Sequence, residues 1–194
     1  MVFLLKPGTM LLIIALAVGG VRSDATGTYA MWVVAALVAS VVGDVALMLG
    51  RFLPGLSAFL VAHLLYIYAV WGTLPVRLVP ADVVTGLAML LYAGYLIRRM
   101  EEGMRASGQR ALLVPVTVYI AVIAVMVWRS VGLVFQPGAL PVSGALVAVG
   151  AVLFCVSDTI LGWNKFVRPV AHRDLLVMST YFAAQYCFAL SCTL

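Results

Sequence analysis

The sequence predicts an all-α protein, a polytopic transmembrane helical bundle of about seven spans, and three observations lead there. Of its 194 residues, 65% are hydrophobic and only 10% charged, against about half and about a quarter in a soluble domain. Runs of about 20 apolar residues, the length that crosses a bilayer core, recur from one end to the other. The stretches between them are short and rich in breakers or charges, so a single transmembrane domain covering 1–194 is expected, with no soluble domain left over.

The spans fall at about 5–22, 29–50, 53–73, 78–98, 111–133, 140–163 and 173–193. The first run leads to no small-residue cleavage site and reads as a span or anchor. The connections are RSDATGT, GRFLPG, TLPVRLVP, RRMEEGMRASGQR, QPGALP and NKFVRPVAHRD. Pro54, Pro80 and Pro141 stand near helix starts, where a missing N–H costs little. Lys6, Arg51, Arg98, Arg99, Arg105, Arg110, Lys165, Arg168 and Arg173 share one side, and Arg22, Arg77 and Arg129 the other. Nine against three predicts a multi-pass cell-membrane protein with a cytoplasmic N-terminus and an external C-terminus. The net charge of +5 thus reads as a topology signal, and no nucleic-acid partner is expected. Neither is a protein partner. Cys155, Cys187 and Cys192 form no CxxC pair, so they read as small buried hydrophobes and no metal or cofactor is expected.

Against this apolar background a few polar side chains stand out. Asp44 and Asp158 each lie seven residues inside the basic end of a span, about 10 Å deep, and His63 lies about 13 Å deep. Tyr181 and Gln185 sit one turn apart on the last span, and Tyr66 one turn beyond His63, with Tyr92 and Tyr119 at comparable depth. An ionisable group in a bilayer core costs several kcal/mol unless paired or hydrated, so such residues usually face a cavity. Asp44 and His63 are expected as partners there, and Asp44, His63, Asp158 and Gln185 as the lining of one shared cavity. The outer halves of the spans are expected to hold almost nothing ionisable. Tyr66, Tyr92 and Tyr119 read singly as packing or interfacial aromatics, Gln185 equally as interhelical glue or a substrate contact, and Gly43 as a site of close helix packing.

The segments LLKPGTMLLI, GDVALM, GLSAFLVAHLLYIYA, LFCVSDTILGWNKF and YFAAQYCFAL resemble, in chain order, the lysoplasmalogenase family of YhhN-like membrane proteins. From Val76 to Gln109 the likeness is one of hydropathy alone. Relatives commonly carry a further hydrophobic segment before KP, giving eight spans where seven are expected here. The resemblance implies hydrolysis of the vinyl ether bond of lysoplasmalogens to a fatty aldehyde and a glycerophospho-ethanolamine or -choline. It puts Asp44 and Asp158 on the family's proposed catalytic carboxylates. His63, Asn164, Tyr181 and Gln185 fall on its other recurrent polar positions, and Lys6 on the KP element.

That chemistry needs a carboxylic acid to protonate carbon, a carboxylate to steady the resulting cation and a base for water. Glycosidases divide similar work between two carboxyls. Asp44 and Asp158 are the expected pair, with His63 orienting one of them or activating water. Lys6, Tyr66, Asn164, Lys165, Tyr181 and Gln185 are the expected substrate contacts. Lys165, Arg168 or Lys6 would hold the phosphate of a lysophospholipid lying among the membrane lipids. A proton-coupled transporter of small molecules or lipids is the alternative, although no internal repeat supports it. A GxGD protease would need Gly where Val41 stands, and a retinal protein a lysine within 175–194.

Overall fold

The computed structural model describes residues 2–21, 27–74, 77–136 and 141–194. Among them are seven α-helices and no strand: α1 Val2–Val21, α2 Gly27–Met48, α3 Phe52–Thr73, α4 Pro80–Ala106, α5 Leu113–Gly132, α6 Pro141–Phe166 and α7 Arg173–Ser191. Five of them are long and apolar enough to cross a membrane; α1 and α7 are not among these five. Ser179, Thr180, Tyr181, Gln185 and Tyr186 lower the apolarity of α7. Large apolar side chains on the outside, such as Leu12, Val84, Leu90 and Leu91, are exposed, as a lipid-facing surface requires. The chain is a multi-pass membrane protein.

Helix boundaries follow local chemistry. Gly50, at φ 73°, turns the chain after α2. Its N–H bonds to the Leu47 carbonyl at 3.0 Å and that of Arg51 to Ala46 at 2.9 Å, which satisfies the last carbonyls of the helix. Phe52 then opens α3, with Pro54 in its first turn. The fourth span, expected to end near 98, runs on to Ala106. Its extra turns are strong helix formers tied by Arg105–Glu101 at 2.5 Å and Arg99–Glu102 at 3.0 Å, so the helix outlasts its apolar stretch.

In lipid, helices associate by close packing and interhelical hydrogen bonds, not by apolar transfer out of water. A Cβ on Gly43 would stand 2.7 Å from the Phe59 ring; the glycine is what lets α2 and α3 approach, as expected of it. α1 lies against α2 and α7, α6 against α7, and α5 against α3, α4 and α6. One apolar cluster, centred on the fully buried Phe154, joins α1, α2, α3, α5, α6 and α7. A second joins α4, α5 and the end of α6 through Leu96, Met100, Met104, Val116, Ile120 and Phe166. Asp158 borders a groove that both clusters line.

Candidate functional site at the basic end of the bundle

Toward the basic end, inward-facing polar side chains gather in two adjacent groups. In the first, Lys6 Nζ of α1 lies 2.7 Å from Asp44 Oδ1 of α2. The Tyr181 hydroxyl of α7 donates to Asp44 Oδ2 at 2.7 Å. The ammonium also stands 5.5 Å from the centre of the Tyr181 ring. Both carboxylate oxygens are therefore taken, and the Asp44 side chain is 2% exposed. One turn further along α7, Gln185 Oε1 accepts the Tyr66 hydroxyl at 2.5 Å, and Tyr66 stacks on Phe188 at 4.0 Å.

The second group surrounds Asp158 of α6. Tyr119 of α5 donates its hydroxyl to Asp158 Oδ2. His63 Nε2 of α3 stands 3.7 Å from the same oxygen. His63 Nδ1 is 2.6 Å from the Phe59 carbonyl. A carbonyl only accepts, so Nδ1 carries a hydrogen, and a neutral ring presents its lone pair at Nε2. That nitrogen is buried and has no hydrogen-bond partner. The imidazole is held edge-on between Tyr119 at 5.2 Å and Phe154 at 4.6 Å. Beside it, Tyr92 and Thr159 share a hydrogen bond of 2.7 Å.

The expected partnership of Asp44 with His63 is thus corrected: the histidine's carboxyl neighbour is Asp158, while Asp44 is closed by Lys6 and Tyr181. Depth along two helices says how far in each group lies, but not which face it occupies. The single shared cavity is corrected as well. A groove of about 60 Å³ lies between α2, α3, α4, α5 and α6. Of the four residues expected to line it, Asp158 alone does so, with Tyr119 and Thr159 beside it. The remaining wall is apolar, from Phe52, Leu56, Met100 and Phe166 near the basic end to Ile123 and Cys155 one turn beyond Asp158.

The other expected contacts are spread more widely. Asn164 Oδ1 accepts the Val170 N–H at 3.0 Å and so ties down the turn after α6. Lys165 is exposed at the basic end, its Nζ 4.4 Å from the ring of Phe52, a groove residue. Tyr66 and Gln185 are buried away from the groove. No group of three or more His, Cys, Asp or Glu able to hold a metal occurs among the described residues.

Sequence reasoning overlooked Tyr119 as a ligand of Asp158, and a charged pair near the opposite end. Arg129 of α5 is 1% exposed, and its Nη1 lies 3.3 Å from Asp82 Oδ1 of α4. Trp71 and Trp128 cover the guanidinium at 4.8 and 5.3 Å. The outer halves of the spans are therefore not free of ionisable groups. An acid three residues into one span and a base near the end of the next, antiparallel span were the available signal.

A family model described as the YhhN family matches residues 1–192. Human lysoplasmalogenase TMEM86B is 32% identical over 173 residues, covering 86% of this chain and 65% of that protein. The Sus scrofa lysoplasmalogenase TMEM86B is 36% identical over 169 residues, 87% of this chain and 66% of that one. A Mycobacterium tuberculosis lysoplasmalogenase is 32% identical over 163 residues, 79% of this chain and 57% of its own length. The chain spans just under two thirds of the length of the mammalian relatives. No solved structure matches it.

Proposed function

Since the chain belongs to the YhhN family, we propose that it is a lysoplasmalogenase, hydrolysing the vinyl ether bond of a lysoplasmalogen to a fatty aldehyde and a glycerophospho-base. The observation that carries this reading is a carboxyl set in the wall of an apolar groove near the basic end of the bundle. Relatives named lysoplasmalogenase support it. A single-chain lysolipid would leave its phosphate near Lys165 and Arg168 and bring the bond a few ångströms deeper to the carboxyl layer.

In the proposed reaction a carboxylic acid gives its proton to the outer alkene carbon. The π electrons form the new C–H bond, and the ether carbon becomes an oxocarbenium ion. The paired carboxylate of the Asp44–Asp158 layer steadies that cation by its field. Water adds to the cation and loses its proton to the carboxylate that the first step leaves in the groove wall, with His63 Nε2 3.7 Å behind it. The hemiacetal then collapses to aldehyde and glycerol hydroxyl. Net, one alkenyl ether and one water give one aldehyde and one alcohol.

The nine-to-three bias of Lys and Arg supports a cytoplasmic basic end, with the C-terminus outside. A reporter fused after Leu194 should then read as external; a cytoplasmic signal would reverse the orientation. The reaction is tested by incubating the purified protein in detergent with a lysoplasmalogen and, separately, with a saturated lysophospholipid. Aldehyde should form from the first only. None from either would overturn the reading.

A further inference from the structure

We infer that the two carboxyls are not interchangeable: Asp158 is the group that hands its proton to the substrate carbon, and Asp44 is a positioning anion held by Lys6. This assignment rests on the lysoplasmalogenase reading and deepens it.

Four observations bear on the choice. Asp158 lines the groove and Asp44 does not. A proton donor must come within hydrogen-bond reach of the atom it protonates, so a carboxyl behind the wall cannot serve. Both Asp44 oxygens are engaged, one by an ammonium and one by a phenol, and a carboxylate that accepts from both sides is satisfied as an anion. Asp158 accepts one hydroxyl on Oδ2, and no hydrogen bond reaches Oδ1 among the described residues. His63 offers it only a lone pair, because the ring's hydrogen is spent on the Phe59 carbonyl. Across 3.7 Å the two make no hydrogen bond, and a neutral ring's lone pair facing Asp158 Oδ2 is repelled less by a carboxyl than by a carboxylate.

Asp44 then acts through its neighbours. The Lys6–Asp44–Tyr181 triad binds α1 and α7 to α2. Tyr181 in turn packs edge-on against Phe59 and Phe154 at 6.0 and 5.5 Å, the rings that shape the His63 pocket and, through Phe59, the groove. Loss of the anion would loosen this support without removing the proton source.

The test uses dicyclohexylcarbodiimide, an apolar reagent that partitions into membranes. A protonated carboxyl adds across its C=N bond and rearranges to a stable N-acylurea, with no leaving group and no other reactant. The whole protein in detergent is treated, digested and mapped by mass spectrometry. The label should appear on Asp158 and not on Asp44, and a saturated lysophospholipid in the groove should suppress it. Label on Asp44, or on neither carboxyl, overturns the assignment. The same reagent should abolish the residual aldehyde release of Asp44→Asn but leave that of Asp158→Asn unchanged; the reverse pattern overturns it too. Labelling is read on the wild-type protein whether or not it turns over. A wild type that releases no aldehyde therefore sinks the reaction itself, whereas label on Asp44 in an active enzyme sinks only the division of roles.

Discussion

Two acids inside the bundle, near its opposite ends, show how one residue type serves two purposes. Asp82 is 2% exposed; its Oδ2 takes the Val79 N–H at 2.7 Å and its Oδ1 faces Arg129. Tryptophans close the arginine off. Asp158 has a tyrosine hydroxyl, a histidine lone pair and an apolar groove. The first acid is closed by its own helix start and a counter-ion, the second open toward the groove. Satisfaction of the charge makes a joint between helices, and incomplete satisfaction beside a groove makes a place where a proton can be transferred.

If that contrast holds, activity and stability should separate between the two acids. Asp158→Asn should lower aldehyde release by on the order of 10²–10⁴-fold, the usual worth of an acid–base group. Its thermal unfolding in detergent should stay close to wild type. Equal loss of activity in Asp82→Asn, normalised to folded protein, would erase the distinction. Arg129→Met should do the opposite, because it strips a buried carboxylate of its partner. The expected loss is about 3–5 kcal/mol of stability, read as a lower unfolding temperature. Activity per folded molecule should be kept.

A smaller effect tests the groove itself. A Cβ on Gly162, which lines it, would stand 2.7 Å from Met100 Cε. Gly162→Leu should therefore fill the space and lower kcat/KM by about tenfold or more, in the range of a pocket contact, with Gly162→Ala intermediate. Smallest is the contact at the mouth: Lys165→Ala should raise KM roughly fivefold, from about 1 kcal/mol per basic residue at a phosphate surface, and leave kcat unchanged. A fall in kcat instead would place Lys165 closer to the chemistry than its exposed position allows.

Much of this organisation was legible in the sequence because hydropathy and charge act along the chain. All seven helices, the clustering of basic residues and the depth of Asp44, His63 and Asp158 follow from local runs and a rise of 1.5 Å per residue. What stayed hidden depends on rotation about each helix axis and on the order of neighbours. With only one or two polar residues per span, nothing told that Asp44 faces α1 and α7 while Asp158 faces α3 and α5. For the same reason His63 was matched to the wrong carboxyl. Arg129 was counted among the outer-side charges because it sits near a span's end, yet its side chain is buried within the bundle, against Asp82. The far end of α4 was cut short because apolarity, not helix propensity, marked its limit.

Proton transfer to carbon is the step on which the proposed chemistry turns, and it leaves a trace in the product. Lysoplasmalogen should be cleaved by the purified protein in D₂O and the aldehyde reduced at once with borohydride to stop exchange. The resulting alcohol should carry one deuterium on the carbon next to the former carbonyl. Aldehyde formed without that deuterium, or none formed at all, would contradict acid-catalysed cleavage at the groove carboxyl.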